Sequence, residues 1–376
     1  MMTQFAGVCR LVWNLALEQR RNHWRNYQAR TGDNLNYVTQ ARELTALRAE
    51  FDFVRAVHVT PLQRTLKALD SAYQRAWKGL GGYPKPKRKG VNEAFSFAGR
   101  EIRIERLNRR WARVKLPKIG WVRLRHNRDI DGAIREATVT RTALGWQISI
   151  GCMLDVQTPD NGLTVGVDRG VAVPLMLSDG TSYFLPPEME HHERLIREAQ
   201  RVVSRRKRGS RRWVRVQKRA ADLKARQARA RKHWAHEATT DIARRYGGIV
   251  VERLRTTNMT RSAKGTVEKP GRRVARKRGL NRAILNVGWH RIQTMLAYKA
   301  ARFVKVDPSY TSQTCASCGT VDGRSRKSQA VFVCTTCGHR DNADRNAAVN
   351  ILNRGNTPGV EPSRRAGDEA RTVQVA

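Results

Sequence analysis

Four cysteines stand in two pairs, Cys315-x2-Cys318 and Cys334-x2-Cys337, with fifteen residues between the pairs. Each C-x2-C turn lets two thiolates reach one ion, and four thiolates fill the tetrahedral shell of Zn²⁺ with no position left for a substrate. The chemistry on offer is therefore structural: the metal staples a loop too small to bury a core of its own. A redox dithiol is the competing reading, but it needs one C-x2-C and gains nothing from a second at this distance. Seven residues after the last cysteine comes Asp344, at the start of DRNAAVNIL.

Two further acids stand out because they end apolar runs. Asp168 is the only charge in LTVGVD, and Glu252 closes GGIVVE. Taken singly, each has a plain explanation. A strand-end acid pairs with the arginine beside it, here Arg169 or Arg253, and an aspartate that opens a helix caps it, a role worth about 1 kcal/mol. Taken together, carboxylates carried by three separate elements make the pattern that two-metal phosphodiester hydrolysis requires, with Mg²⁺ ions activating water and stabilising the leaving oxygen.

The rest of the chain supplies the substrate class. Lys and Arg number 73 against 32 Asp and Glu in 376 residues, a formal charge of +41. Solubility needs nothing on that scale, so a polyanion must neutralise it in the working state. At 40% hydrophobic residues the chain can build two or three cored domains, which excludes a disordered basic tail. LVWNLAL and VAVPLML, the longest apolar runs, stop well short of the roughly 20 residues a membrane span takes. The N-terminus carries a charge inside any would-be signal core, so a cytoplasmic location, on the nucleoid when DNA-bound, is expected. Cys9 and Cys152 lie among apolar neighbours and are expected to be buried free thiols. His191 and His192, in MEHHERL, are expected on the surface of a charged helix.

The elements that must position the acids follow from periodicity. Phe5, Val8, Val12 and Leu15 step by three and four, and similar spacing recurs to Trp77, so residues 1–80 are expected to be helical. GGYPKPKRKG (81–90) interrupts them with glycine, proline and basic residues, and is either a charged linker or a phosphate-contacting loop through Lys85, Lys87 and Arg88. Alternating runs such as WARVKLP, WVRLRH and WQISIGCML predict a small antiparallel barrel or sandwich over 93–155. LTVGVDRGVAVPLMLSDGTSYFL predicts two strands and a turn. Between Arg201 and Lys232 the chain then carries fifteen Lys or Arg against one acid, Asp222. So single-signed a run repels itself unless an anionic partner is present, which points to nucleic-acid contact through Arg205, Arg206, Lys207, Arg208, Arg211 and Arg212. Its companions Trp213 and Trp234 either stack on bases or join the core. A single helix is expected from about residue 281 to 303.

VGVDRG, GGIVVERL, TSQTCASCG, CTTCG and DRNAAVNI, in that order, resemble the RuvC-type nuclease half of the TnpB family, RNA-guided DNA endonucleases of bacterial transposons, a half shared with miniature type V CRISPR effectors. The resemblance runs upstream through CRLVWNLAL, LKALDSAYQRAW, GYPKPKRKG and KLPKIGWVRLR, and so covers almost everything but the tail. It implies a multidomain α/β protein. A helical recognition region (1–80) and a β-barrel-like wedge domain (81–160) precede an RNase H-like (RuvC) nuclease domain (161–310 and 341–355), with a zinc ribbon (311–340) inserted before the last acid. Residues 356–376 are expected to be a disordered tail.

The resemblance further implies that Asp168, Glu252 and Asp344 bind catalytic Mg²⁺ and that Zn²⁺ is structural. Asp341 competes for the third place, but Asp344 fits the family's D-x-N-A-A arrangement. Guide RNA and double-stranded target DNA are the implied partners, and Tyr37 and Gln63 align with DNA-contacting positions. The implied activity is Mg²⁺-dependent, RNA-guided cutting of DNA beside a short motif. Family members usually start with a strand and turn before the helix matching FAGVCRLVWNLAL, whereas this sequence starts almost at that helix. Either its start is assigned late or the wedge barrel lacks a strand. Three rival readings stand beside the endonuclease: an RNA-guided repressor that has lost cleavage, a transposase using the same acids, and a plain zinc-ribbon nucleic-acid binder.

Overall fold

Phe5, Val8, Val12 and Ala16 recur every three or four residues and, with Leu17, are all buried along one stripe of α1 (Met2–Asn26). Leu15, which shares their spacing for part of the way, falls on the outer face and is exposed. The computed structural model describes residues 1–27, 35–154, 160–357 and 372–375. Two units form, Met1–Asp155 with Ala370–Ala376, and Val156–Glu369.

In the first unit α1 shares its core with α2 (Tyr37–Glu50), the short α3 (Asp52–Arg55) and α4 (Val59–Trp77), which contributes Leu62, Leu66 and Leu69. Asn36 starts α2 by accepting from the backbone N–H groups of Val38 and Thr39. The strands are β1 (Ala94–Ala98), β2 (Arg103–Arg106), β3 (Trp111–Leu116), β4 (Gly120–Arg125), β5 (Ala133–Thr142) and β6 (Gly145–Met153). They make two antiparallel sheets, one ordered β1, β5, β6 and the other β2, β3, β4. Phe95 and Phe97 of β1 pack on Phe5 of α1, so the β region predicted over 93–155 shares one core with the N-terminal helices.

Thr372–Val375 pairs antiparallel with β6 as the fourth strand of the first sheet. This corrects the expectation of a disordered tail for those four residues: the β-prone sequence TVQV completes an edge that β6 would otherwise leave open. The remainder of the expected tail beyond residue 357 lies outside the described residues.

The second unit is built on a five-stranded sheet. Its elements are β7 (Thr164–Asp168), β8 (Leu175–Leu177), β9 (Ser182–Tyr183), α5 (Glu188–Arg205), α6 (Arg211–Arg245), β10 (Gly248–Glu252), α7 (Thr256–Met259), α8 (Val274–Val287), α9 (Trp289–Lys299), β11 (Arg302–Val306), β12 (Val331–Val333), β13 (Arg340–Asn342) and α10 (Ala343–Gly355). The sheet order is β11, β10, β7, β8, β9, with β7, β10 and β11 parallel and β8 and β9 antiparallel. Parallel strands covered on both faces need continuous apolar runs, which is why TVGVD and GIVVE show little alternation.

Val165, Val167, Ile249, Val251 and Phe303 meet α6 and α9 on one face, where Trp234, Ile242, Ile292 and Leu296 are buried. Val250, Val304 and Val306 meet Ile351 of α10 on the other. The single helix expected over 281–303 is instead α8, α9 and β11. Gly288, at φ +78°, stops α8 and starts α9, a backbone turn that suits glycine. Ile284, Val287, Ile292, Leu296 and Ala300 are nevertheless all buried, as their spacing predicts.

Candidate functional site

Asp168 and Glu252 occupy the C-terminal ends of adjacent parallel strands. The register pairs Val167 with Val251, so the next residue on each strand is one of the acids. This is where an open α/β sheet presents its functional groups. The third acid arrives on α10, which crosses these strands at close range because its contacts are with glycine. A Cβ on Gly166 of β7 would stand 2.1 Å from the carbonyl oxygen of Ala348, and one on Gly355 would stand 2.4 Å from the side chain of Val250. Asp344 sits at the start of this helix and is buried.

Asp344 does not cap the helix, contrary to the simplest reading of its position. Asn342 does, accepting from the N–H groups of Asp344 at 2.9 Å and Arg345 at 3.2 Å. The Asp344 carboxylate is left free for other work, and it accepts from Arg326 Nη2 at 2.9 Å. Asp341, the competing third acid, faces Arg345 and His339 instead.

The reading in which each strand-end acid pairs with its neighbouring arginine is also corrected. Arg169 is buried and donates to the backbone carbonyls of Glu252 and Trp289 and to Gln293 Oε1, clamping the ends of β7, β10 and the start of α9 together. The Glu252 carboxylate accepts from Thr311 Oγ1. Burial, with the Glu252 and Asp344 carboxylates nearby, raises the Asp168 carboxyl to about 7. Burial raises Glu252 as well, partly offset by Thr311. Burial leads both shifts, with Arg326 opposing the first and Arg169 the second.

The cysteines converge more tightly. Cys315 and Cys337 Sγ lie 3.7 Å apart and Cys318 and Cys334 Sγ 3.6 Å, and all four sulfurs fall within 4.8 Å of one another. Four thiolates about 2.3 Å from a central Zn²⁺ stand about 3.8 Å apart, so the set fits that ion. Among the described residues this is the one group of three or more potential metal ligands drawn so close; the three carboxylates do not form such a group, and Asp344 and Glu252 are hydrogen-bonded by Arg326 and Thr311.

The ribbon and the acids are joined through α10. Asn346 donates to the Thr314 carbonyl at 2.8 Å and accepts from the N–H of Ala316, inside the first cysteine knuckle, at 2.9 Å. Asn350 donates to the carbonyls of Thr311 and Thr314. One short segment therefore holds Glu252 by a hydroxyl, carries the first cysteine and is fastened to the helix bearing Asp344. Arg326, Thr311 and Asn350 were not singled out by sequence, and Arg169 stood out only as a pairing partner for the acid beside it. Arg326 is one of several basic residues in the spacer between the cysteine pairs, and only the D-x-N-A-A spacing drew notice to Asn346.

The basic segments are less uniform than composition implies. In the loop 81–90, Trp13 Nε1 donates to the Lys85 carbonyl, Asn14 exchanges two hydrogen bonds with the Lys87 backbone, and Lys87 Nζ lies 4.1 Å over the Trp13 ring. The loop is pinned along α1 and is not a free linker, with Lys85 and Arg88 exposed. Arg205, Arg206, Lys207, Arg208, Arg211 and Arg212 are all exposed at the turn between α5 and α6. Trp213 is half-buried and Trp234 belongs to the core. Tyr37 is half-buried under Lys67, Gln63 is exposed on α4, and Cys9 and Cys152 are buried, free thiols. No helix is long and apolar enough to cross a membrane among the described residues.

Comparison with known proteins places the chain in a family. Residues 147–263 match the IS605 OrfB family described as "Probable transposase", residues 289–351 the "Cas12f1-like, TNB domain", and residues 1–29 the helix-turn-helix domain of IS605 OrfB. The chain is 35% identical to "Putative RNA-guided DNA endonuclease InsQ" of Escherichia coli (strain K12), over 93% of this chain and 87% of that protein. It is 28% identical to a protein of the same description from Streptomyces pristinaespiralis, over 97% and 89%. Its fold is similar to that of Cas12f1 in a cryo-EM complex with sgRNA and target DNA, with TM-score 0.59 and 14% identity over 96% of this chain and 82% of that one. A mixed α/β fold of the Cas12f kind with a four-cysteine TNB region, and 35% identity to InsQ over nearly the whole chain, show that the chain belongs to the IS605 OrfB/TnpB family.

Proposed function

We propose that the chain is an RNA-guided DNA endonuclease whose phosphodiester hydrolysis is carried out at Asp168, Glu252 and Asp344. The observation that carries this reading is the meeting of those three acids, from β7, β10 and α10, in a protein of charge +41. The raised Asp168 carboxyl supports it, because a carboxyl lifted by burial and by the Glu252 and Asp344 carboxylates ionises more readily beside a bound cation. Mg²⁺ bound there would supply a deprotonated water and offset charge on the leaving oxygen.

The chain's own residues do the rest. Arg169 fixes the backbone of the Glu252 strand end, and Thr311 orients the Glu252 carboxylate. Gly166 and Gly355 let α10 lie close enough to deliver Asp344. The four cysteines, holding structural Zn²⁺, fix the segment from Thr311 to Ala316 on which that geometry depends. In this reading the second unit is an RNase H-like nuclease domain, and the first joins a recognition region to a wedge-like β domain. The exposed residues from Arg205 to Arg212, with Lys85 and Arg88, would neutralise phosphates of the guide RNA and target DNA.

The test is to purify the protein from cells carrying its flanking DNA, sequence the RNA that accompanies it, and assay Mg²⁺-dependent cutting of matched double-stranded DNA alongside Asp168→Ala. A discrete RNA with cutting lost in the variant is the expected result. Bound RNA without cutting would favour a guided repressor, and strand-transfer products without a specific RNA would favour a transposase.

A further inference from the structure

The sheet β2–β3–β4 turns Ala112, Val114 and Leu116 inward and leaves a face of different character outside. On that outer face Trp111 and Trp121 each lie under guanidinium groups. Arg123 is 3.9 Å and Arg125 4.9 Å from the Trp111 ring centroid, and Arg113 is 4.4 Å from that of Trp121. The register sets Trp111 opposite Arg125, Arg113 opposite Arg123 and Lys115 opposite Trp121. Arg103 stands beyond Lys115 on the third strand, and the one acid on the face is Glu105, paired with Arg113.

Two features of this face call for a ligand. Glu105 offsets only Arg113, so Arg123 directly across from it, with Lys115 and Arg125, leaves the face with a surplus of positive charge that an anion offsets. An indole that is 40% exposed, as Trp121 is, gains by being covered. A guanidinium held over an indole can offer π-surface to a base and N–H groups to a phosphate, and such surfaces accept unpaired strands because every base has a π-face. A sheet carrying aromatics is also a way of binding unpaired RNA, whose bases can splay out where those of a duplex cannot.

We infer that the outer face of β2–β4 is a stacking platform for unpaired nucleotides of an RNA, with Trp111 and Trp121 as its floor and Arg113, Arg123 and Arg125 as its phosphate contacts. This rests on the reading that the chain works with a guide RNA, the partner it holds throughout, whereas a DNA strand is displaced only transiently. Glu105 repels phosphate but accepts a hydrogen bond from a 2′-hydroxyl, which also favours RNA.

The test uses the full chain, stripped of nucleic acid and kept in EDTA so that cleavage plays no part. Binding of a labelled oligouridylate of about 30 nucleotides is measured as a function of salt, beside thermal melting to confirm folding. Trp121→Ala should weaken it roughly 5- to 100-fold while Trp121→Phe largely restores it. Arg123→Gln should reduce the slope of log affinity against log salt by about 1. A 4-thiouridine oligomer should cross-link to β3 and β4. Folded variants that bind as the parent does, with cross-links elsewhere, would overturn the platform alone. Equal losses on duplex RNA would show a phosphate grip without stacking, and a larger loss on oligothymidylate would move the surface to DNA; either result overturns it. Failure of the parent chain to bind RNA at all would instead remove the functional reading on which the platform rests.

Discussion

Arg326, in the ribbon, donates to Asp344, on the helix that follows it, at 2.9 Å. A cation from one element thus occupies the carboxylate that another element brings to the acids. A metal ion taking up Asp344 must displace or share this guanidinium. Arg326→Gln should therefore bind Mn²⁺, as a Mg²⁺ surrogate, several-fold more tightly in calorimetric titration. Unchanged affinity would show that the pair does not compete with metal.

Gly166 is the point at which β7 and α10 touch backbone to backbone. Gly166→Ala would drive a methyl into the Ala348 carbonyl. Overpacking of this kind costs about 1–3 kcal/mol, and here relief requires α10 to move, taking Asp344 with it. The variant should melt at lower temperature and cut DNA far more slowly than that loss of stability explains. Normal cutting by the folded fraction would show that the close approach is dispensable.

Removing zinc should disable the acids without touching them. Cys315→Ser, or chelation of the parent, releases the segment whose carbonyls Asn346 and Asn350 hold and whose Thr311 hydroxyl steadies Glu252. The expected result is one zinc per parent chain by mass spectrometry, and loss of cutting with RNA binding retained after its removal. Under the same chelation Cys9 should resist alkylation, since burial raises its thiol to about 11.

Asp168 gives the metal-free protein a definite pH dependence. Its carboxyl is raised from 3.8 to about 7 in the folded state, so the unfolded chain releases this proton first. The contribution to stability is neutral below about pH 4, turns increasingly unfavourable as pH rises through 7, and is fully unfavourable above that. In EDTA, Asp168→Asn should be more stable than the parent at pH 8, with the gap closing toward pH 5 in melting experiments. Mg²⁺ should restore the parent more at pH 8 than at pH 6. A gap that does not change with pH would contradict the burial of this carboxyl.

The strands carrying Asp168 and Glu252 were legible because a buried parallel strand needs an uninterrupted apolar run, and a single acid at its end is conspicuous. The cysteine cluster was legible from spacing alone. The break at Gly288 was missed because apolar residues on its two sides keep a helical period across it, and periodicity does not report a positive φ. Asp344 was legible as an acid at a helix start, but its freedom depends on Asn342 taking the cap two residues earlier. Arg326 and Thr311 act through contacts across 18 and 59 residues of sequence, and nothing local marks them.

The order of the three acids along the chain has a consequence during biosynthesis. Asp168 and Glu252 leave the ribosome well before Asp344, which follows Glu252 by 92 residues, after the whole ribbon. At about 5–20 residues per second that is a delay of about 5–18 s. Through that interval the nascent chain already exposes the basic turn between α5 and α6 while its set of acids is incomplete. On the proposed reading, RNA can meet a chain whose three acids are not yet together, so the timing of synthesis alone would place guide binding before cutting.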